Sequence, residues 1–532
     1  VQTCALPISP YGENELARRA AGEILAQAKL TDGYCLDLGC GDGALAYELA
    51  RASRLRIVAV DADPAKVSLA RSRLGEAGLY GSRVTVLQRD PAKTGLPVYF
   101  ANLVVSGRSL AEGSFIVPRE EAARRQRPYG GVMCFGRPGA WDIQTRGPLE
   151  GAGKWTHQYA DPANTLCSTD ELVQGPLGML WFTDVEQRLV QRHGRAPAPL
   201  FNHGILYSEG RDSLAAVDAY NGLKLWEYSL PGILEAYDGD HLMGVSGSGS
   251  NFALSEDSVY VRRDGHCLRL DAKTGKLLDK FSAPLAADGR SGTWGFLACE
   301  NGILLGSLAN PEHVVTFRYL KGGNLAGQLT ESKTLFALDA ISGELKWRWD
   351  ATNSLRHNAI SLGGGRVIFI DRPLTLYDRV HGAKAAGDQT GELVALEAHS
   401  GKVLWRNSSN IYGTVTLLST PHQKVLMSYQ PTRFGLASEL GGRMTCFELA
   451  SGERVWERDI KYQSRPILND QTIYAEGGAW DLRTGVERPF AMKRSYGCGI
   501  LAGARNLVVY RSATLGYFDL GADRGKIGRA HV

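Results

Sequence analysis

The chain lacks several features that would place it in a class at once. Its nine cysteines are scattered, with no C-x-x-C spacing and no adjacent pair, so neither a metal site nor a disulfide ladder is expected. No run of about 18 apolar residues occurs, so we expect no membrane span. The net charge of +4 on 532 residues is too small to predict a nucleic-acid partner.

Glycine, in contrast, is abundant. The chain has 63 glycines, well above the average share of about 7%, and this excess favours folds with many turns. The length of 532 residues favours two or more domains. A content of 44% hydrophobic and 22% charged residues is ordinary for a globular protein.

The two ends of the chain have an unusual composition. The strings VQTCALPI and IGRAHV resemble the translation of a common short-read sequencing adapter, taken from its two strands. We therefore expect residues 1–8 and 526–532 to be adapter-like foreign sequence, which makes the chain a fragment. A signal peptide is then neither recognisable nor excluded.

Residues 9–147 alternate helical and strand-like patterns. After a helical pattern over residues 11–30, the segment CLDLG at 35–39 predicts a short strand. It runs into the glycine turn GCGDG at 39–43, and a helix is predicted over 44–52. Strand, glycine turn and helix together form a nucleotide-binding βα unit. Glycines there let the backbone approach a ligand without a Cβ clash.

Acidic residues follow the next two predicted strands. The strand at residues 57–60 ends in Asp61, where a carboxylate accepts both hydroxyls of a ribose. A later strand ends near Asp90. The remaining segments are predicted as helix, strand, strand and strand at residues 64–77, 84–88, 100–106 and 130–136.

This order of strands, with its glycine turn and acidic residues, resembles the class I SAM-dependent methyltransferases. The resemblance implies an α/β Rossmann-like methyltransferase domain over residues 9–147 that binds S-adenosyl-L-methionine (SAM). The positions it assigns to the cofactor are Asp37, Gly39, Cys40, Gly41, Gly43, Asp61, Ala62, Asp90 and Ser106. A Rossmann-like domain for another nucleotide is the alternative interpretation.

No catalytic residue is indicated by the sequence. Methyl transfer to oxygen or nitrogen needs mainly alignment and sometimes a base. The loop GRSLAEG at 107–113 lacks the N/D-P-P-Y signature of amine methylation, and Asn102 stands where many relatives have Asp. No counterparts of the family's sixth and seventh strands are recognisable before Trp155. An active enzyme and a degenerate SAM-binding module therefore both remain open.

From residue 148 onward, short apolar runs and glycine turns replace the helical pattern. One unit occurs six times, with an acidic residue four positions before a glycine, and in four copies Trp lies four positions after it. Acidic side chains accept backbone N–H groups in such a turn, while glycine takes a positive φ. The tryptophan is expected to pack between neighbouring sheets. The six glycines are Gly222, Gly275, Gly343, Gly401, Gly452 and Gly485.

The repeat resembles the tryptophan-docking unit of quinoprotein-like (PQQ-like) β-propellers. Steps of 33 to 68 residues between its glycines agree with one four-stranded blade per repeat. The resemblance implies an all-β propeller over residues 148–525, truncated from seven or eight blades. Quinoprotein alcohol dehydrogenases hold PQQ with an adjacent cysteine pair, and no such pair occurs here, so PQQ is not expected as a cofactor.

Arginines gather where the innermost strands of the blades should begin. Several guanidinium groups at one rim predict an anionic or sugar ligand, and capping of strands is the alternative. The candidates are Arg356, His357, Arg372, Arg465, Arg494 and Arg511. A separate polar and aromatic cluster consists of Trp155, His157, Tyr159, Asp161 and Asn164, with Arg192 and His193.

Three functions stay open. The first is a SAM-binding methyltransferase-like module attached to a propeller that serves as a platform for an unknown small molecule, glycan or protein. The second is a non-catalytic propeller scaffold with a vestigial SAM domain, and the third is a quinoprotein oxidoreductase. Chains of this order resemble long bacterial proteins, often from planctomycetes. Localisation stays open, because SAM is made in the cytoplasm whereas such propellers are often exported.

Overall fold

The structure, a computed structural model, describes residues 9–113, 115–183, 187–190, 197–235, 251–310, 329–373, 391–430, 442–495, 499–512 and 514–527. Residues 1–8 and 528–532 of the adapter-like ends, together with Arg192 and His193, lie outside them. The chain divides into two units. Unit one is Val1–Glu150 with Gly178–Asp184 and Asp218–Leu223, and unit two is Gly151–Leu177, Val185–Val217 and Lys224–Val532.

The first unit is an α/β domain. Its described elements are α1 (Glu15–Ala28), β1 (Tyr34–Leu38), α2 (Ala44–Ala52), β2 (Arg56–Asp61), α3 (Pro64–Glu76), β3 (Val84–Gln88), β4 (Leu103–Val105), α4 (Gly107–Glu112), α5 (Arg119–Arg125), β5 (Val132–Arg137) and β6 (Ala140–Thr145). The six strands form one sheet in the order β3-β2-β1-β4-β5-β6, and β1 to β5 are parallel. This confirms the predicted Rossmann-like fold.

Strand β1 shows why the sequence folds in this way. Successive side chains of a strand point to opposite faces of the sheet, so its alternate residues enter two different cores. Cys35 packs in the core that contains Ile24 and Leu45 of the first two helices, whereas Leu36 and Leu38 pack in the core on the other face. Both faces are therefore covered, as is usual for parallel sheets.

Strand β6 corrects one expectation from the sequence. No strand was recognised after the fifth, yet residues 140–145 form a strand antiparallel to β5, with Ile143 opposite Cys134. The residues of β6 are mostly exposed. Because both faces of the strand lack a run of buried apolar side chains, the alternating pattern that identifies strands is missing.

The second unit is built from strands β7 to β33 in six sheets. The first two sheets consist of β7 (Leu200–Asn202), β8 (Ile205–Glu209), β9 (Ser213–Asp218) and β10 (Lys224–Ser229), and of β11 (Phe252–Leu254), β12 (Ser258–Arg263), β13 (His266–Asp271) and β14 (Leu277–Ser282). The third, seven-stranded sheet consists of β15 (Trp294–Glu300), β16 (Ile303–Ala309), β17 (Glu331–Asp339), β18 (Leu345–Gly363), β19 (Arg366–Arg372), β20 (Gly391–Glu397) and β21 (Val403–Ile411).

The remaining three sheets have four strands each. They consist of β22 (Val415–Ser419), β23 (Lys424–Ser428), β24 (Gly442–Glu448) and β25 (Arg454–Ile460); of β26 (Ile467–Asn469), β27 (Thr472–Ala475), β28 (Gly478–Asp481) and β29 (Glu487–Arg488); and of β30 (Ala502–Gly503), β31 (Leu507–Ser512), β32 (Thr514–Asp519) and β33 (Arg524–Ile527). None of the helices in the described parts of the chain is long and apolar enough to cross a membrane.

The seven-stranded sheet is two blades joined by one long strand. The first part of β18 pairs with β17, with Trp347 opposite Ala337, and its last part pairs with β19, with Ile360 opposite Phe369. The described residues thus form seven four-stranded blades. The first strand of a blade contacts the first strand of the next, as β11 contacts β15 and β18 contacts β22. This confirms the predicted all-β propeller.

Each repeat places its aromatic ring on the glycine of the following repeat. A Cβ on Gly452 would overlap the Trp405 ring, and the indole N–H of Trp405 donates to Leu449 O at 3.0 Å. The predicted packing of tryptophans between sheets is thereby confirmed. The pairs are Trp226 on Gly275, Phe281 on Gly343, Trp347 on Gly401, Trp405 on Gly452 and Trp456 on Gly485.

We predict that Gly452→Ala destabilises the propeller more than Gly365→Ala. Both glycines have φ +72°, but a Cβ on Gly365 meets nothing within 4 Å. The left-handed backbone conformation lowers the free energy of unfolding of an alanine variant by about 1–2 kcal/mol at either site. Overlap with the Trp405 ring lowers it by a further amount of about 1–3 kcal/mol at Gly452. Thermal unfolding followed by tryptophan fluorescence measures the difference. Equal losses of stability would show that the ring contact contributes nothing.

Candidate functional site

The glycine turn connects β1 to α2 at the carboxyl edge of the parallel sheet. Gly39 N and Cys40 N donate to Val60 O at 2.8 and 3.0 Å, so the turn is held against the end of β2. Gly39, Gly41 and Gly43 have φ of +76°, +59° and +85°. Residues with side chains rarely adopt this conformation. The positive φ values explain why this turn requires glycine.

Asp61 joins the end of β2 to this turn. Its carboxylate is fully buried, and it accepts a hydrogen bond from Gly41 N at 3.0 Å and another from Asp63 N at 3.0 Å. Because the carboxyl ends of neighbouring parallel strands meet at one edge, the carboxylate lies beside the turn that follows β1. The structure therefore brings together the two features that the sequence assigned to one ligand.

Asp37 lies at the end of β1 and reaches the start of α4. Its Oδ1 accepts from Gly107 N at 2.7 Å, whereas its Oδ2 has no hydrogen-bond partner among the described residues. Burial raises the pKa of Asp37 to about 7, and the nearby carboxylates of Asp61 and Asp42 act in the same direction. An unsatisfied buried oxygen is a place where a donor is missing.

The other predicted cofactor residues differ in burial. Cys40 is buried, and burial raises the pKa of its thiol. Ser106 is buried and caps α4, since its Oγ accepts from Ser109 N at 3.1 Å. Ala62 and Asp90 lie after β2 and β3 at the same edge but are exposed. Among the described residues, no hydrogen bond joins these two to the buried carboxylates.

The side chains of two residues that the sequence did not single out pack against the glycine turn. The guanidinium of Arg108 is 3.7 Å from Asp61 Oδ1 and lies 4.6 Å from the centre of the Phe115 ring. That ring covers Gly39, where an added Cβ would be 2.7 Å from it. Both residues follow β4, some 70 residues beyond the turn, so only the fold brings them there.

In the second unit, residues 155–168, here called the girdle, run across the carboxyl ends of the innermost strands. Backbone N–H groups of these strands donate to the girdle in chain order. The bonds are Phe201 N to Trp155 O (2.7 Å), Leu254 N to Thr156 O (3.0 Å), Cys299 N to His157 Nε2 (3.0 Å), Leu362 N to Pro162 O (2.8 Å), Leu418 N to Ala163 O (2.9 Å), Leu468 N to Thr165 O (2.8 Å) and Gly503 N to Leu166 O (2.9 Å). Every described blade is thus tied to one segment.

His157 is the one side chain in that series of bonds. It accepts from Cys299 N through Nε2, so its proton resides on Nδ1, which lies 2.8 Å from Thr156 Oγ1. Burial lowers the pKa of His157 to about 3, because a buried imidazolium is poorly solvated. The ring is therefore neutral at ordinary pH and serves as a structural acceptor.

We predict that His157 makes the propeller acid-sensitive. Below about pH 6.5 the unfolded chain binds a proton on His157, whereas the folded chain binds it only near pH 3. The contribution of neutral His157 to the free energy of unfolding is therefore full above about pH 6.5 and decreases as the pH falls. The loss is about 1.4 kcal/mol per pH unit. Melting temperatures at pH 7, 6 and 5 should fall less steeply for His157→Gln than for wild type. His399→Gln, at an exposed turn, should follow wild type, and parallel curves for all three would contradict this account.

The arginines predicted at the propeller rim lie at the opposite, amino ends of the innermost strands. Most of them have partners in the fold. Arg356 pairs with Glu331 at 2.8 Å, Arg494 pairs with Glu476 at 3.3 Å, and Arg372 donates to Tyr412 O at 2.8 Å. His357 is buried, and its Nε2 lies 2.7 Å from Ser332 Oγ. Arg511 is half-buried, and its backbone carbonyl accepts a hydrogen bond from Arg494 Nε at 2.9 Å. Arg465 is fully buried.

The fold defines a two-domain class of protein, a Rossmann-like α/β domain followed by a β-propeller. Residues 35–122 match the family model described as a methyltransferase domain. Residues 181–365 match the β-propeller domain of glucose/ethanol/alcohol dehydrogenases, and residues 316–465 and 385–497 match the outer membrane protein assembly factor BamB. The chain therefore carries an N-terminal methyltransferase domain and a PQQ-like propeller.

Individual relatives are distant. BamB of Nitrosomonas eutropha is 23% identical over 235 residues, or 41% of this chain and 53% of that protein, so the chain spans about half the length of this curated relative. Quinohemoprotein alcohol dehydrogenase from Comamonas testosteroni is 14% identical, with 69% of this chain and 71% of that chain covered and a TM-score of 0.47. A putative SAM-dependent methyltransferase from Methanococcus maripaludis is 27% identical, covering 24% and 55% of the two chains, with a TM-score of 0.21.

Proposed function

We propose that the first unit binds SAM at the glycine turn and that the propeller is a platform for a ligand or a partner protein. The observation that carries the first half is the Asp61 carboxylate, buried beside the turn and 3.0 Å from Gly41 N. A ribose placed at the end of β2 would use this carboxylate as its acceptor. Asp90, at the end of β3, would contact the adenine.

The chemistry of the buried groups supports this cofactor. Asp37 Oδ2 lacks a donor among the described residues, and the ammonium group of SAM is a suitable donor. The three glycines with positive φ leave the backbone open to a close approach. SAM supplies an electrophilic methyl group on its sulfonium, and Asp37, Asp61 and the turn would bind and orient it.

A specific observation favours a second candidate, a SAM domain that no longer transfers methyl groups. Phe115 covers Gly39, and Arg108 lies near the carboxylate of Asp61, which is where the ribose would bind. If the side chains of Phe115 and Arg108 do not move aside, SAM cannot reach the turn and the domain is a scaffold. Removing the ring by Phe115→Ala would then raise the affinity for SAM.

The platform role rests on the propeller. Its family match includes the outer membrane protein assembly factor BamB, and for this chain we propose binding of a protein, glycan or small molecule. The polar amino ends of the innermost strands, where the half-buried Arg372 and Arg511 lie, would form the contact surface.

Isothermal titration of the full chain with SAM and with S-adenosylhomocysteine tests the proposal. We expect both to bind in the micromolar range, and absence of heat at millimolar SAM would overturn it. Incubation with labelled SAM and a panel of oxygen and nitrogen acceptors separates the two candidates. Transfer of label supports an enzyme, whereas binding without transfer, or binding that becomes tight only in Phe115→Ala, supports the scaffold.

A further inference from the structure

A pocket lies beside the girdle at the carboxyl ends of the innermost strands, at the opposite end of the propeller from the rim arginines. Its volume is about 240 Å³. Since a water molecule in the liquid occupies about 30 Å³, the pocket has room for a small organic molecule. The lining includes Asp161 of the girdle and Glu300, Leu418, Leu468, Asp470 and Arg505 of the blades.

Glu300 carries a carboxylate to one side of this pocket. It is the last residue of β15, and its side chain is half-buried, so a ligand can reach it. No described residue donates a hydrogen bond to this carboxylate or forms an ion pair with it. Burial raises the pKa of Glu300, and the neighbouring carboxylate of Asp161 acts in the same direction. A cation on this side of the pocket would remove that repulsion.

Arg505 carries a guanidinium to another side of the pocket. Its backbone is fixed, because its N donates to Asp170 O at 3.2 Å and its carbonyl accepts from Asn469 Nδ2 at 3.1 Å. Its half-buried side chain has neither a hydrogen bond nor an ion pair within the part of the chain that the structure describes. The Asp470 carboxylate, which also lines the pocket, is instead bound by His422 Nε2 at 2.6 Å. The donors of this guanidinium are therefore available to an anion.

The fold keeps these two charges apart. Glu300 belongs to the third blade and Arg505 to the seventh, and the two side chains form no ion pair with each other. The fifth and sixth blades, which come between them in chain order, contribute the apolar residues Leu418 and Leu468 to the lining. The pocket therefore has a negative side, a positive side and apolar surface between them.

We propose that this pocket binds a small zwitterion of the ω-amino acid class, with its ammonium at Glu300 and its carboxylate at Arg505. Each charged end of the ligand then supplies the counter-charge that the described residues do not, and the connecting carbon atoms contact Leu418 and Leu468. A ligand with only one charge leaves the other protein group unpaired and binds more weakly. The site lies at the other end of the propeller from the contact surface of the platform role, so it depends neither on that role nor on SAM binding.

Isothermal titration of the full chain with 6-aminohexanoate tests the pocket, because this probe joins an ammonium and a carboxylate by an alkyl chain. We expect a dissociation constant of about 0.1–1 mM. Hexanoate and hexylamine, which keep one charge each, should bind at least about 10-fold more weakly. Glycine, whose two charges are too close together to reach both sides, should also bind more weakly.

Two variants assign the two charges. Glu300→Gln and Arg505→Gln should each weaken binding of 6-aminohexanoate by about 10-fold or more. In Glu300→Gln, hexanoate should bind as well as 6-aminohexanoate, and in Arg505→Gln the same should hold for hexylamine. Both variants should melt near the wild-type temperature, since neither side chain has a partner in the described ranges. Arg511→Gln, at the opposite rim and also half-buried, is the matched control and should bind as wild type does.

Three results would overturn the proposal. They are no heat at about 20 mM 6-aminohexanoate, well above the expected dissociation constant; hexanoate or hexylamine binding wild type as tightly as 6-aminohexanoate; and wild-type affinity in Glu300→Gln or Arg505→Gln. The affinity for SAM should be the same in both variants as in wild type. Failure of the pocket therefore leaves the cofactor site unaffected, and failure of SAM binding leaves the pocket unaffected.

Discussion

Asp61→Ala is expected to weaken SAM binding by about 10- to 150-fold, since hydrogen bonds to a charged acceptor contribute about 1.5–3 kcal/mol. The alanine removes the proposed acceptor for the ribose and also the acceptor of Gly41 N at 3.0 Å. The glycine turn then loses one of its hydrogen bonds to β2, while those from Gly39 N and Cys40 N to Val60 O remain. Isothermal titration of the full chain with SAM measures the change in affinity.

Asp63→Ala is the matched control for this experiment. Asp63 lies two residues away and caps α3, where its Oδ1 accepts from Ala65 N at 2.9 Å, but it has no proposed contact with SAM. Its affinity should stay within about twofold of wild type, because the cost of a lost cap falls on helix stability. Wild-type affinity in Asp61→Ala, or an equal loss in both variants, would contradict the assignment.

The second large effect is expected at Asn164 of the girdle. Its Nδ2 donates to Ile360 O at 2.8 Å and to Thr416 O at 3.2 Å, and these carbonyls belong to neighbouring blades. Asn164→Ala leaves both buried carbonyls without this donor, at about 1–3 kcal/mol each. The residue also has φ +64°, which asparagine tolerates better than alanine. We expect a loss of about 3–6 kcal/mol in unfolding free energy.

Asn301→Ala controls for backbone strain at this position. Asn301 has φ +48° but is exposed in the turn between β15 and β16, so alanine there loses only about 1–2 kcal/mol. Urea unfolding monitored by tryptophan fluorescence compares the two variants. Equal shifts of the urea midpoint would mean that the girdle bonds do not hold the blades together.

Local patterns predicted the parts of the fold that repeat at short range. The strand at residues 84–88 and the helix at 44–52 agree with β3 and α2, because their apolar spacing and their turns lie within a few residues. The propeller repeat was recognisable for the same reason. Strand β6 was not predicted, because its side chains are mostly exposed and show no alternation of buried apolar and exposed polar residues.

Long-range contacts could not be predicted from those patterns. The girdle has no regular period, and its partners extend from Phe201 to Gly503. The sequence located the rim arginines but could not show that Arg356 and Arg494 have carboxylate partners while Arg465 has none among the described residues. Arg108 and Phe115 were missed because only the fold brings them to the glycine turn. The SAM-binding residues and the exclusion of PQQ stay predictions.

Hydrogen exchange of the full chain with and without SAM tests the central claim most directly, because it locates the ligand as well as detecting it. We predict slower exchange in peptides covering residues 34–44 and 56–64, where the turn and Asp61 lie, and unchanged exchange in the propeller blades. Unchanged exchange in both peptides at millimolar SAM, or protection confined to the propeller, would contradict the account.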